Sequence, residues 1–99
     1  MSRRYERDEL AAQLNTEFQI HFTPDMVMDA ELISVSELNE IANYESFTIT
    51  FLIPEECPIY QQIYRIDHAE MGELELFLVP SGKDRKGTTY ASTFSYLKK

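Results

Sequence analysis

Asp67, His68 and Glu70 stand together in the chain and carry side chains that ligate metals or move protons, and His21 is the other histidine. Zinc requires three or four such groups converging at about 2.0–2.2 Å. The His-x-Glu spacing lets two side chains share one strand face, but Met71-Gly72 follows at once, and turn chemistry of that kind ends strands. The expected structure is a solvated hairpin connection in which His68 closes the turn through a backbone hydrogen bond, with no metal. Cys57 is the single thiol, which leaves no internal disulfide and no multi-cysteine zinc site. A nucleophilic cysteine needs a positive neighbourhood, whereas Glu55 and Glu56 precede this one and disfavour its thiolate. Cys57 therefore reads as a loop cysteine between Pro54 and Pro58. Glu73 and Glu75 alternate with Leu74 and Leu76, which marks the solvent face of a strand rather than the carboxylate pair of a glycosidase. No catalytic set and no cofactor are expected, and the chain reads as a non-enzyme.

Two stretches are candidates for binding a partner. Gly82-Lys83-Asp84-Arg85-Lys86-Gly87 is the one basic cluster in an acidic chain, and it lacks the Gly-Lys-Ser/Thr ending of a phosphate loop. Lys83, Arg85 and Lys86 read either as a hairpin tip kept soluble by charge or as a contact for an acidic partner surface or an oligonucleotide end. Phe77 and Val79 point away from Leu74, Leu76 and Leu78 in a strand. If neither a helix nor barrel closure covers them, they form an apolar patch of the kind that marks protein contacts, self-association included.

The elements that must position these residues follow from hydrophobic period. Tyr5, Leu10, Ala11 and Leu14 fall near helical spacing, which predicts a helix over 6–14 capped by Ser2 or Asp8. Asn15 ends it, since asparagine tolerates the left-handed conformation. The period then changes to two. Strands are expected around Phe18, Ile20 and Phe22; over about Val27 to Leu38, bent or bulged; over Phe47 to Ile53; over Gln61 to Asp67; over Glu73 to Val79; and around Tyr90, Phe94 and Tyr96. Asn39 to Tyr44 is polar and suits a helical turn, and Pro80 to Gly87 reads as a polar hairpin loop. The fold class is mainly β (α+β): about six antiparallel strands in a small barrel or curved meander sheet, with one N-terminal helix, in a single domain over 1–99.

Of the 99 residues, 43% are hydrophobic, and six Phe and six Tyr supply large core side chains. The formal charge of −8 repels nucleic-acid phosphate and anionic membrane surfaces, so neither is expected as a partner. The opening MSRRYERDEL has charges with no apolar run behind them, and no stretch approaches the roughly 20 apolar residues of a membrane span. A cytoplasmic protein, or one exported without a cleavable signal, is expected.

The run QQIYRIDHAEMGELELFLVPSG, followed by TTYASTF, resembles a bacterial domain family of unknown function. That family's pattern has a Gln-Gly-x-Tyr strand, a His before a glycine turn, a Leu-Phe-Leu-x-Pro strand and a closing Tyr-x-Ala-x-Phe strand. The matching positions here are Gln61, Tyr64, His68, Gly72, Leu76, Phe77, Leu78, Pro80, Tyr90 and Phe94, and LNTEFQI is similar to the family's entry into its first strand. Gln62 and Asn15 stand where the family has Gly. The resemblance implies a small non-enzymatic protein, and some members are encoded beside phage-tail-collar-like proteins, which implies an accessory or assembly role.

The leading expectation is a module that binds another protein through a sheet face or the basic hairpin, with self-association as one outcome. An acidic nucleic-acid-mimicking inhibitor is a second class and predicts one continuous stripe of carboxylates. A small-molecule-binding barrel is a third and predicts a concave pocket with convergent polar groups.

Overall fold

The computed structural model describes residues 5–54 and 62–97. One helix, α1 (Arg7–Ala11), precedes seven strands: β1 (Glu17–Thr23), β2 (Met26–Val35), β3 (Asn39–Ile41), β4 (Tyr44–Ile53), β5 (Gln62–His68), β6 (Gly72–Asp84) and β7 (Gly87–Leu97). Six of them close into an antiparallel barrel in the order β2-β1-β5-β6-β7-β4, with β4 returning to β2, and β3 hangs on the outer edge of β4. Closure leaves few strand edges exposed.

The period-2 patterns decide what lies inside. Phe18, Ile20 and Phe22 of β1, Phe47, Ile49, Phe51 and Ile53 of β4, and Leu74, Leu76 and Leu78 of β6 are all buried. Each such side chain contributes about 1.5–3 kcal/mol by leaving water. Aromatic rings meet edge to face across the interior: Phe18 on Phe51 at 5.1 Å, Phe22 on Tyr64 at 5.0 Å. Leu10 of α1 joins this core, and Arg7 Nε donates to the Ser36 carbonyl at 2.8 Å, so the helix lies at the barrel end where β2 finishes.

The strands are not in meander order. β4 and β5 are consecutive in the chain but lie opposite each other around the ring, so β5 comes to rest beside β1 and β7 beside β4. The helix is shorter than its spacing predicts. The Asn15 N–H goes to the Leu32 carbonyl at 2.7 Å, and this tie to β2, with Asn15 at φ 68, unwinds residues 12–15 into turns. Glu6 is the N-cap, its N–H donated to Glu9 Oε1 at 3.4 Å, while Asp8 sits in the first turn, where a carboxylate favours the helix dipole. Ser2 lies outside the described residues.

Two further segments differ from expectation. Asn39 to Tyr44 is a hairpin, with Ile41 opposite Tyr44, because a three-residue strand exposed throughout has no alternation to reveal it. Pro80 to Asp84 continues β6, and only Arg85 and Lys86 turn the chain. Pro80 and Gly82 look like breakers, yet the register shift between them is a bulge, where proline is tolerated inside a strand. The expected bend in β2 is also a bulge, between Leu32 and Ser34, and it lies within the ladder to β4, which closes the barrel.

Candidate functional site

The polar residues singled out in the sequence diverge. Adjacent strand residues face opposite ways. Asp67 of β5 faces out and takes His21 Nε2 of β1 on Oδ2 at 2.7 Å, with Arg65 Nε at 3.7 Å from Oδ1 and 3.4 Å from Glu73 Oε2. His68, the next residue, is buried against the Phe18 ring at 4.2 Å. Its Nδ1 accepts the Glu70 and Met71 N–H groups at 3.1 and 3.2 Å, which places the ring proton on Nε2. Nε2 then donates to Thr16 Oγ1 at 2.9 Å, and that hydroxyl donates to the Gln13 carbonyl at 2.7 Å. His68 thus closes the β5–β6 turn, as its position before Gly72 suggests, and both its nitrogens are occupied. Glu70 points elsewhere, accepting from Gln13 Nε2 at 2.9 Å. Among the described residues no three His, Cys, Asp or Glu side chains converge as metal ligands, and Cys57 lies outside them.

The outer side of β6-β5-β1-β2 is acidic. One register row reads Glu73, Asp67, Gln19 and Asp29 across the four strands, and Glu17 lies opposite Glu31 beside it. The next row, Glu75, Arg65, His21 and Val27, breaks the carboxylates with basic side chains.

Phe77 is 50% exposed, and its register partner on β5 is Ile63, 65% exposed. Directly opposite residues share a face, so the two form one apolar pair on the outside of the barrel. Ile63 belongs to this surface although only Phe77 and Val79 were singled out in the sequence. The signal lay in its alternation with buried Tyr64 and Ile66. Val79, on the same side of β6, is half-buried opposite Ala91. Below Val79 the β6–β7 ladder stops and the strands part. An open cleft of about 270 Å³ lies there, lined by Tyr5, Glu75, Leu76, Phe77, Phe94 and Tyr96 among others. Tyr5 partly fills it, with its ring 5.9 Å from Phe94 and its N–H donated to Tyr96 Oη at 2.9 Å.

The basic residues project at the far end of β6. Lys83 is paired with Thr88, Arg85 and Lys86 form the turn, and all three are exposed. No helix among the described residues is long and apolar enough to cross a membrane.

A family model described as a domain of unknown function (DUF6916) matches residues 5–94. No match was found among curated proteins or among solved structures. Most residues that carry the resemblance fill the core or shape the chain: Tyr64, Leu76, Leu78, Tyr90 and Phe94 are buried, and Gly72 has φ 78 after the His68 turn. Phe77 is the large side chain among them that faces outward, and Gln61 lies outside the described residues.

Proposed function

This chain belongs to the DUF6916 family, a domain of unknown function, and from that premise we propose that it is a non-enzymatic interaction module that docks a partner protein on the Phe77 side of β5–β6. The observation that supports this reading is the Ile63–Phe77 pair, two large apolar side chains opposite each other and more than half exposed on average beside an open cleft. Leaving the exposed half of each side chain in water forgoes about 1–2 kcal/mol apiece that a partner's surface would recover. Lys83, Arg85 and Lys86 end the same strand and offer an acidic partner rim an attractive, steering contact. The resemblance to a family with members encoded beside phage-tail-collar-like proteins supports an accessory role in an assembly of that kind, in the cytoplasm.

The test is affinity capture from the native host with wild type, an Ile63→Ser/Phe77→Ser variant and a Lys83/Arg85/Lys86→Ala variant. The apolar variant is expected to lose a specific partner by at least ~30-fold, as truncation of an interface anchor costs about 2 kcal/mol or more. A partner held equally by all three forms would sink the reading. The acid row of β6-β5-β1-β2 favours a second reading, a nucleic-acid-mimicking inhibitor. In that case an Asp29→Asn/Asp67→Asn/Glu73→Gln variant would release a DNA-binding protein, and the apolar variant would not.

A further inference from the structure

The outer face of β4 and β7 is opposite in character to the acidic side. With Phe47, Ile49, Phe51 and Ile53 turned into the core, the alternate residues of β4 face out, and their register partners on β7 face out with them. One row is Ile41, Tyr44 and Leu97 across three strands, exposed by 66%, 53% and 61%. The next rows along the face are Ser46 opposite Ser95, then Thr48 opposite Thr93 with their hydroxyls 3.0 Å apart. Thr50 opposite Ala91 follows, and that row runs on to Val79 of β6. None of these residues is charged. Carboxylates stand at both margins: Glu31 opposite Leu52 on one side, and Glu75, which shares the open cleft with Thr93 and Ser95, on the other. Charged residues make up 26% of the chain, and ordinary surfaces carry ~25–35%, so a face this long without one is not what solubility alone produces.

We infer that this face docks a second copy of the same chain. The first ground is charge. At −8, two copies repel whenever their carboxylate-bearing sides approach. β4 and β7 lie across the ring from β1 and β5, so apposing the neutral faces puts two barrel thicknesses between the carboxylates on β1 and β5 of the two copies, Glu17 and Asp67. The shorter extents of the molecule are 29 and 23 Å, each well beyond the screening length of about 8–10 Å in physiological salt. The second ground is hydrogen bonding. Serine and threonine hydroxyls both donate and accept, so a two-fold arrangement lets the face satisfy its own copy without a complementary partner surface. The third is size. The ladder from Tyr44–Leu97 to Ile53–Thr88 spans about 30 Å at ~3.4 Å per residue, and three strand spacings give a width of about 15 Å. That area is below the ~800 Å² per partner of a stable dimer, so the association is fast and reversible, with dissociation constants of about micromolar or weaker. This face adjoins the Phe77 side at the cleft that Phe77 shares with Thr93 and Ser95, whereas Ile63 lies one strand further away on β5.

Sedimentation equilibrium from about 10 μM to about 1 mM, near ~50 and ~500 mM NaCl, tests it. The mass is expected to rise from 11.6 kDa toward twice that value, and association is expected to tighten several-fold in the higher salt. Thr93→Glu places a charge mid-face at an exposed position and is expected to leave a monomer with an unchanged melting curve; Leu97→Glu is the second such variant. The Ile63→Ser variant, changed two strands away from β7, is expected to associate as wild type does. A wild type that stays monomeric throughout overturns the inference. So do glutamate variants that associate normally, or an association abolished by the Ile63 change, and each of these leaves the heterologous contact standing.

Discussion

Gly87 is where the β6–β7 hairpin touches the end of β4. Its φ is 139, a region that side-chain-bearing residues rarely enter, and a Cβ there would strike the Ile53 carbonyl oxygen and lie 2.7 Å from Pro54 Cα. Both obstacles are backbone, so nothing flexible can yield. Gly87→Ala is expected to cost about 3 kcal/mol or more, read as a shift of the urea midpoint at constant m-value. Ala42 is the converse case. It holds φ 53 in the two-residue turn between Ile41 and Tyr44, where glycine has no Cβ to strain. Ala42→Gly is expected to stabilise by up to about 1 kcal/mol. His68 was legible as a turn residue because it stands just before Gly72; its link to Thr16 was not, since nothing in the sequence brings residues on different strands together. His68→Phe keeps the packing on Phe18 but removes the acceptor of the Glu70 and Met71 N–H groups. Those orphaned donors are expected to cost about 1–3 kcal/mol by the same measurement.

At the scale of elements, alternation was the legible signal and neighbour choice was not. Leu74, Leu76 and Leu78 against Glu73, Glu75 and Phe77 identify both faces of β6, and the structure keeps that assignment. A period of two names the face of a residue but not the strand beside it. That is why β5 sits next to β1, and β7 next to β4, with no mark in the sequence. It is also why the neutral β4–β7 face and the Ile63–Phe77 pair emerge only once the register is known. The same register makes a prediction on β5. Asp67 lies directly opposite Glu73, and Arg65 reaches both carboxylates. Arg65→Met leaves the two acids facing each other, so it is expected to cost about 0.5–1 kcal/mol at low salt. The same change in an Asp67→Asn background is expected to cost less, and an equal cost would show that Arg65 acts through packing alone.

Across the whole molecule, charge and closure are set against each other. The barrel is sealed unevenly: β4 and β7 pair along their full length, whereas β1 and β5 share only the stretch from Gln19–Asp67 to His21–Arg65. The acidic side straddles that short ladder, with Asp29 and Glu17 on one flank and Asp67 and Glu73 on the other. Repulsion among them acts across the weakest join, against the His21–Asp67 hydrogen bond that spans it, and its natural outlet is local opening of β1 from β5 rather than global unfolding. Salt screens exposed charges far more than it alters the buried core. Native-state amide exchange on monomeric protein should therefore respond locally. Raising NaCl from about 50 to about 500 mM is expected to slow exchange in β1 and β5 several-fold, equivalent to roughly 1 kcal/mol, and to leave the β4–β7 amides nearly unchanged. Equal slowing on both sides would mean that the net charge of −8 acts on the molecule as a unit. The short ladder would then owe its closure to the side chains beneath it, Ile20 and Ile66, which pair there and are fully buried.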